Sequence, residues 1–277
     1  MSEQERQERQ EAGAVDTPGP GMAGATHEAP GSRPSRLGGV PGRARCWLRR
    51  CGRGLLVLAV TGVLGSALLV GALRWVDPPA SAFMLQHAYN LWRLDQSPPY
   101  YHHCWVPWSE LPPPLRLAAI SGEDQRFPSH LGFDLIEIRH ALAAHRRGGA
   151  LRGASTITQQ TAKNLFLWPG QGWGRKAIEA WFTLLLEVLW SKERILEVYL
   201  NIIQFSPSTY GAGAASVRYF GHPARTLTLE ESALLIGVLP APGHYRLDRP
   251  SERLRRRADW IIDQSSRLGG ERYLQRL

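Results

Sequence analysis

The chain has 277 residues, with 33 Lys and Arg against 24 Asp and Glu, which gives a formal net charge of +9 at pH 7. This length suits one or two domains. The cysteines Cys46, Cys51 and Cys104 match neither a zinc spacing nor a redox CxxC motif, so they predict no disulfide scaffold. Adjacent His102, His103 and Cys104 give poor chelate geometry, and the sequence predicts no metal site.

The N-terminal part of the chain changes character twice. Residues 1–45 are rich in Gly, Pro, Glu, Arg and Ser, a composition that predicts a disordered tail. Residues 54–73 carry no charge and are long enough to cross a bilayer, so we predict a transmembrane helix over 54–74. Seven arginines precede it between Arg33 and Arg53, which places the N-terminus in the cytoplasm. Much of the positive charge therefore sets the orientation of the chain in the membrane. No nucleic-acid motif accompanies this charge, so it does not indicate nucleic-acid binding.

The segment from 77 to 114 is rich in proline, tryptophan and tyrosine, including Trp92, Tyr100, Trp105 and Trp108. Amphipathic aromatic residues just outside a membrane span favour the lipid–water interface. A linker that packs on the following domain has the same composition. The sequence leaves both interpretations open.

Beyond Pro114 the chain has the pattern of successive helices. Apolar periodicity and capping residues predict helices over 115–120, 134–148, 155–165, 175–190, 191–202, 210–220, 228–239 and 253–266. The expected N-caps are Asp134 (with Glu137 in a capping-box-like pair), Ser155 and Thr228 (with Glu231), and a further helix is expected to start at Ser191. No segment alternates with period two, so the outer domain is predicted to be all-α.

The densest polar motif, SGEDQRFPSHLGFD, covers residues 121–134 and follows an apolar helix. Glu123 lies at the end of that helix, where Phe127 shields it partly from water. Such shielding raises the pKa of a carboxylate and suits it to act as a general base. The plainer interpretation is that Glu123 or Asp124 caps a turn or pairs with Arg126.

A second polar stretch, GASTITQQTAKNLFL, covers residues 153–167. Four of its residues share one face at helical spacing, namely Thr156, Gln159, Gln160 and Lys163. A polar face that ends in a cation, next to the unpaired N–H groups of a helix start, suits sugar hydroxyls and phosphate. An ordinary solvated face is the alternative.

Two further polar groups stand on largely apolar helices. Arg175 and Lys176 open one helix, with Glu179 one turn later. An exposed Arg175–Glu179 pair would stabilise the helix by only about 0.3–0.5 kcal/mol, whereas a buried cluster would indicate a cleft. In SKERILEVYLN, four residues are predicted to form a structural network rather than to carry chemistry: Lys192, Glu197, Tyr199 and Asn201.

Four motifs therefore occur in a fixed order: EDxxFxxHxGxD, GxSTITQQxxKN, RKxxE and SKxxILExYLN. Over about residues 85–270, the chain resembles the family 51 glycosyltransferases, which polymerise the peptidoglycan precursor lipid II. The resemblance implies a lysozyme-like helical domain on a single anchor, and it is greatest to the monofunctional members. No Ser-x-x-Lys or Lys-Thr-Gly motif is present, so we expect chain elongation without cross-linking.

The resemblance also implies roles for individual residues. Glu123 matches the catalytic base, which takes the proton from the 4-hydroxyl of the acceptor lipid II. Glu179 matches a second carboxylate that positions substrate or assists the leaving pyrophosphate, and Lys163 and Arg175 match cations near that pyrophosphate. Further substrate-cleft residues are Ser155, Thr156, Gln159, Gln160, Asn164 and Lys176. Supporting motif residues are Asp124, Phe127, His130, Gly132, Asp134, Lys192, Glu197, Tyr199 and Asn201.

Cofactors, partners and location follow from the same resemblance. A divalent cation, Mg²⁺ or Mn²⁺, often assists the family at the pyrophosphate, although the sequence shows no protein chelate for it, and no organic cofactor is implied. The expected partners are lipid II, the growing glycan strand and membrane lipids, with other cell-wall synthesis or division proteins left open. The expected location is the bacterial inner membrane, with the catalytic domain in the periplasm.

The chain departs from the family pattern at several positions. Many relatives have a basic residue eight positions after the equivalent of Lys163, where this chain has Gln171. Arg or Lys is also common where this chain has His140. Ala154 replaces a glycine, and the sequence at 204–206 replaces an acid-Phe-Gly motif. These changes leave the two carboxylates in place and predict a weaker grip on anions.

Two other functions remain to be separated from lipid II polymerisation. A lysozyme-like enzyme that cleaves finished glycan would also use a helical domain and a catalytic glutamate, but it needs no phosphate site. A non-catalytic scaffold that binds lipid II or division proteins would explain Gln171 and His140. The intact Glu123, Glu179 and Lys163 argue against a scaffold.

Overall fold

A computed structural model describes residues 42–94, 100–148, 155–170 and 172–277 of the chain. The described residues divide into two units between Arg53 and Gly54, and the first helix contains residues of both. The tail predicted over 1–45 lies outside the described residues, except for its last four, which belong to that helix.

Helices dominate the described residues. They are α1 (Gly42–Ala72), α2 (Ala82–Arg93), α3 (Pro113–Glu123), α4 (Leu135–Arg146), α5 (Ile157–Phe166), α6 (Trp173–Leu189), α7 (Lys192–Ile202), α8 (Ala212–Phe220), α9 (Leu229–Gly237) and α10 (Glu252–Arg267). The three short strands are β1 (His102–His103), β2 (Gln204–Ser206) and β3 (Thr209–Tyr210). They form one small sheet in the order β1-β3-β2, with β1 parallel and β2 antiparallel to β3.

The helical class predicted from the sequence is confirmed, but the expectation of no strands is wrong in detail. Each strand has only two or three residues, too few to show an alternating pattern. The sheet forms through tertiary contacts, because β1 lies about 100 residues before its partner β3. In β2, Phe205 is buried, and the Ser206 hydroxyl donates to Thr209 Oγ1 at 2.8 Å. The unusual sequence at 204–206 therefore has a structural role in this hairpin.

Helix α1 carries the apolar segment. Its part from Arg50 to Ala72 is long and apolar enough to cross a membrane. Leu55, Leu58 and Leu68 are exposed along it, as a helix that faces lipid requires. This agrees with membrane anchoring, close to the bounds predicted at 54–74.

The core of the second unit forms where helices cross. Helix α3 packs against α9 and α10, and α5 packs against both α6 and α7. Gly122 makes the first of these contacts close, because a Cβ atom there would lie 2.7 Å from Ile236 Cγ2 and 3.2 Å from Ile261 Cδ1. The missing side chain therefore lets the last turn of α3, which ends at Glu123, approach both α9 and α10.

Most predicted helix starts are confirmed. Side chains of Asp134, Ser191 and Thr228 accept N–H groups at the starts of α4, α7 and α9. The prediction that Ser155 caps α5 is wrong, because Thr156 is the N-cap. Its Oγ1 accepts from the Gln159 N–H, and Gln159 Oε1 accepts from the Thr156 N–H. A capping box needs Gln or Glu three residues on, and only Thr156 has it.

The pairing predicted between Asp134 and Glu137 is only half correct. Asp134 Oδ1 accepts the N–H groups of Ile136 and Glu137, each at 3.0 Å. The Glu137 carboxylate does not return to the cap, and lies instead 3.4 Å from His140. That pair is exposed on α4, so it adds little to stability.

The aromatic segment after the anchor combines both predicted arrangements. Trp105 and Trp108 pack against the core, whereas Trp92 and Tyr100 are exposed. Asn201 holds the packed part, since its side chain donates to the Val106 carbonyl at 2.8 Å and accepts from the Val106 N–H at 2.7 Å. The later half of the segment is therefore a linker fixed on the domain.

Candidate active site

Glu123 lies at the end of α3 with its side chain 13% exposed. Its Oε2 accepts from Gln160 Nε2 at 2.9 Å, and its Oε1 accepts from Arg257 Nη2 at 3.1 Å. The proposed alternative partner, Arg126, instead places Nε 3.2 Å from Asp134 Oδ2. Helices α3, α5 and α10 thus meet at this single carboxylate.

The surroundings of Glu123 have opposite effects on the pKa of its carboxyl group. Burial raises the pKa of its carboxyl group, while hydrogen bonds from Gln160 and Arg257 and the positive charges of Arg257 and Lys163 lower it. A carboxylate balanced in this way can be ionised and still accept a proton.

A buried tyrosine orients the glutamine that contacts Glu123. Tyr199 Oη donates to Gln160 Oε1 at 3.4 Å, which leaves the amide nitrogen of Gln160 to face Glu123. Burial raises the pKa of Tyr199 well above its ordinary value, so its hydroxyl stays protonated and able to donate. This chain of contacts fixes the direction of the Glu123 carboxylate.

Sequence reasoning missed Arg257. Its neighbours Leu254, Ala258 and Ile261 form the buried face of α10, and residue 257 lies at the edge of that face. A signal was present, since one arginine in the run from 255 to 257 must fall beside the apolar stripe. Its partner was not visible, because Glu123 and Arg257 are 134 residues apart.

A cationic cleft of about 420 Å³ opens beside Gln160. The residues that line it are Ser155, Gln159, Gln160, Lys163, Gly170, Gly172, Arg175, Lys176 and Glu179. Its lining thus carries three cations and one carboxylate among the described residues. Such an excess of positive charge suits an anionic group such as pyrophosphate.

Glu179 neutralises part of that charge. It is buried on α6, where its Oε2 lies 3.4 Å from Arg175 Nη1 and its Oε1 accepts a hydrogen bond from Lys176 Nζ. Arg175 is held further by a bond from its Nε to the Trp168 carbonyl at 2.9 Å. The predicted alternative of an exposed surface pair is therefore wrong, because both Glu179 and Arg175 are nearly enclosed.

Lys163 differs from the other two cations. Within the described part of the chain, its ammonium group makes no hydrogen bond or ion pair. Burial lowers the pKa of Lys163, the carboxylate of Glu179 raises it, and Arg175 and Lys176 lower it further. An ammonium in these surroundings gains most from an incoming anion, because the anion replaces the hydration lost on burial.

The motif residues around Asp124 position α5. The Asp124 carboxylate accepts from His130 Nε2 at 2.9 Å and from the Ile157 N–H at 3.0 Å. It thereby fixes the start of α5 next to Glu123. Asp124, His130 and Asp134 lie close enough together to suggest a metal site. However, the Asp124 oxygens already accept these hydrogen bonds, and Asp134 Oδ2 faces the guanidinium of Arg126 at 3.2 Å. The buried His130 Nδ1 has no hydrogen-bond partner in the part of the chain that the structure describes.

A backbone turn at Gly132 completes this support. Gly132 has φ +80°, and a Cβ atom there would lie 2.6 Å from Thr183 Cγ2, so glycine is required on both counts. The Gly132 carbonyl accepts from the Thr156 hydroxyl at 2.6 Å. Thr156 is therefore a structural cap rather than part of the cleft lining.

Lys192 and Glu197 also contact structural partners. Lys192 Nζ donates to the His130 carbonyl at 2.7 Å and to Glu187 Oε1 at 2.8 Å, and it lies 4.6 Å from the centre of the Phe127 ring. Glu197 accepts from the Trp108 N–H at 2.8 Å. These contacts join the 127–130 turn and the linker to α7, as the predicted structural network requires.

The structure does not bring every predicted residue into the cleft. Asn164 is half-buried on α5 but is not in its lining. His140 is exposed on α4 and pairs with Glu137. Ala154 and Gln171 lie outside the described residues, although Gly170 and Gly172 on either side of Gln171 both line the cleft.

Helices α3, α5, α6 and α10 thus bring a shielded glutamate next to a cationic cleft. This arrangement agrees with the class of protein that sequence comparison identifies. The transglycosylase family matches residues 93–266. The chain belongs to this family, and the resemblance drawn from its four motifs, with its lysozyme-like helical domain, is confirmed.

Individual relatives are similar over most of their length. A biosynthetic peptidoglycan transglycosylase of Ectopseudomonas mendocina (strain ymp) is 49% identical over 230 residues, which cover 83% of this chain and 95% of that protein. The protein of the same name from Stutzerimonas stutzeri (strain A1501) is 48% identical over 212 residues, or 76% of this chain and 87% of that protein. The one from Pseudomonas aeruginosa is 46% identical over 230 residues, or 83% and 99%.

Proposed function

We propose that this protein is a peptidoglycan glycosyltransferase that polymerises lipid II into β-1,4 glycan strands, with Glu123 as the general base. One observation carries the proposal most directly. Gln160 lines the cationic cleft and also donates to the Glu123 carboxylate. The proton acceptor and the anion site are thus separated by a single side chain, as a transfer reaction with a pyrophosphate leaving group needs.

The bond changes in this reaction balance without an external reagent. Glu123 takes the proton from the 4-hydroxyl of the acceptor sugar, and that oxygen forms a bond to the anomeric carbon of the growing chain. The bond from that carbon to the pyrophosphate oxygen breaks, and undecaprenyl pyrophosphate leaves with the electron pair. Attack from the face opposite the leaving group converts an α-linked donor into a β-linked product.

The cleft cations contribute most when the leaving group separates. Negative charge then builds on the bridging oxygen, and Lys163, Arg175 and Lys176 stabilise it more than they stabilise the bound substrate. Glu179 holds Arg175 and Lys176 in place through its two carboxylate oxygens. We assign it this positioning role.

The relation of α6 to the anchor supports a substrate carried by the membrane. Trp181 Nε1 donates to Ser66 Oγ at 3.0 Å, and Trp190 Nε1 donates to the Val70 carbonyl at 2.8 Å. Ser66 and Val70 lie in the last two turns of α1, so α6 is held beside the outer end of the membrane helix. At the start of α6, which carries Arg175 and Lys176, Trp173 is 93% exposed.

This arrangement fits a domain on the outer face of the inner membrane. The arginines that precede the apolar segment of α1 keep the N-terminus in the cytoplasm, so the cleft faces the periplasm and is within reach of lipid-borne precursor. The partners we propose are lipid II, the growing strand and membrane lipids, together with other cell-wall synthesis or division proteins.

The described cleft residues do not form a site for Mg²⁺ or Mn²⁺. Glu179 is the single carboxylate among them, and both of its oxygens already face cations. A divalent cation prefers several oxygen ligands. We therefore derive no step through a metal ion.

Reconstitution with labelled lipid II tests the proposal. The detergent-solubilised protein is expected to convert lipid II into polymer and to release undecaprenyl pyrophosphate. A parallel incubation with finished, lipid-free glycan is expected to give no shorter fragments. Cleavage of that glycan would instead indicate a lysozyme-like hydrolase, and binding of lipid II without polymer would indicate a scaffold.

Replacing Arg257 by glutamine is expected to shift the pH dependence of polymerisation. Burial raises the pKa of Glu123 and Arg257 opposes this, so without Arg257 more of the carboxyl group is protonated at a given pH. A base must be ionised, and the acidic limb of the pH–rate profile therefore moves to higher pH. We expect a loss of about tenfold near pH 6 and a smaller loss near pH 8.5.

The adjacent Arg256 offers a matched control for this variant. It is exposed on α10 and pairs with Glu252, so Arg256→Gln is expected to keep the profile of the wild type. Arg257→Lys, which keeps the charge, is expected to restore part of the shift. An Arg257→Gln loss that is equal at all pH values would show a structural role only.

Introducing a cation at position 171 is expected to strengthen the anion site. Because residues 170 and 172 line the cleft, Gln171→Arg is expected to raise kcat/KM for lipid II by about three- to tenfold. The gain should shrink as salt is added. Gln171→Met serves as the uncharged control, and no gain in the arginine variant would contradict the predicted weakness of this site.

A further inference from the structure

Arg194, at the start of α7, makes several hydrogen bonds to the chain at the outer end of the anchor helix α1. Its Nε and Nη2 atoms donate to the Leu73 carbonyl at 3.3 and 3.0 Å, and Nη2 also donates to the Val76 carbonyl at 3.0 Å. Its Nη1 donates to Asp77 Oδ1 at 2.8 Å. One side chain thus binds three successive parts of the chain where it leaves α1.

The guanidinium group is held firmly from the domain side. Its Nη1 also donates to Glu197 Oε2 at 2.8 Å, and its carbon lies 5.6 and 5.7 Å from the ring centres of Trp105 and Trp190. The side chain is only 12% exposed. A planar group with five donors can make such contacts simultaneously, whereas lysine cannot.

The contacts satisfy carbonyl groups at the end of α1 and just beyond it. The last carbonyls of an α-helix find no N–H donor within the helix, and a nearby cation is favourable there. In α1 the N–H of Arg74 bonds to Gly71 rather than to Val70, and the Val70 carbonyl accepts from Trp190 Nε1. Arg194 binds its two carbonyls in the turn that follows α1, so the two side chains together hold the helix end and the chain that leaves it.

We propose that Arg194 is a positioning residue, which locks the outer end of α1 to the catalytic domain and so fixes the depth at which the cleft meets the bilayer. This inference rests on the proposed function. After α1 the chain has no regular structure until α2 begins at Ala82. Without Arg194, α1 keeps the two hydrogen bonds from Trp181 and Trp190. The domain can then tilt relative to α1 about these two contacts.

The matching experiment compares two environments. Detergent micelles have no bilayer surface against which the cleft must be positioned. In micelles, Arg194→Ala is therefore expected to keep at least about half of the wild-type rate. In liposomes that contain full-length lipid II, its kcat/KM is expected to fall by about tenfold. Arg194→Lys should lie between the two, and Arg267→Ala, which removes an exposed ion pair on α10, should match the wild type.

A depth measurement supplies a readout that does not depend on activity. A single cysteine replaces Trp173 at the start of α6, with Cys46, Cys51 and Cys104 changed to serine, and carries a fluorophore. Quenching by lipids with nitroxides at different depths is expected to give one narrow depth with Arg194 and a shallower or broader distribution in Arg194→Ala. Equal distributions would overturn the proposal, whatever the rates.

The two measurements separate this inference from the proposed function. A wild-type protein that makes no polymer would refute lipid II polymerisation, yet the depth comparison would still test the role of Arg194. A rate loss of the same size in micelles and in liposomes would overturn the proposal, because it would show a general effect on folding.

Discussion

Glu123→Gln is expected to lower the rate of lipid II polymerisation by at least about 10³-fold, the upper part of the range for loss of a general base. Glutamine has the same shape but cannot accept the proton of the acceptor hydroxyl. The contact to Gln160 can persist, since an amide oxygen also accepts a hydrogen bond. Binding of lipid II, measured separately, should therefore change little.

An exposed glutamate supplies the control for this variant. Glu252 lies at the start of α10, where its side chain is largely exposed and pairs with Arg256, so Glu252→Gln is expected to polymerise at the wild-type rate. A Glu123→Gln protein that kept more than about one-tenth of the activity would exclude Glu123 as the base. The same loss in binding and in rate would place Glu123 among residues that hold the substrate.

That the candidate site residues lie together was largely predictable, because each motif combines residue types that a structural surface rarely needs together. Glu123, Lys163 and Glu179 lie in or beside one cleft, as their motifs indicated. What the motifs did not separate is contact with the cleft from support behind it. Thr156 shares the polar face of Lys163 at helical spacing, yet it caps α5 and binds the Gly132 carbonyl.

Contacts between distant parts of the chain were not predictable. Arg257 and Arg194 stand in helices that were correctly predicted, but their partners lie more than 100 residues away in sequence. Helical spacing shows which residues share a face and gives no information about what that face meets. The small sheet escaped prediction for the same reason, since β1 and its partner β3 lie about 100 residues apart in sequence.

Lys163→Met is expected to lower kcat/KM for lipid II by about 10²- to 10³-fold, comparable to the removal of one donor from an oxyanion site. Methionine keeps the length and apolar body of the side chain, so the fold should tolerate it. The ammonium of Lys163 is the cleft cation with no hydrogen-bonded partner among the described residues, and its full charge is therefore available to the leaving pyrophosphate. Glu179 already neutralises part of the charge of Arg175 and Lys176.

The comparison with Lys176→Met makes this prediction specific. Lys176 is half-exposed and pairs with Glu179, while Arg175 remains next to the same carboxylate, so its loss is expected to cost only about three- to tenfold. Steady-state rates and inhibition by inorganic pyrophosphate can be measured on both variants, and pyrophosphate should bind Lys163→Met much more weakly than Lys176→Met. If both variants lose activity and pyrophosphate binding equally, the cations act as one diffuse field, and no special role belongs to the unpaired ammonium.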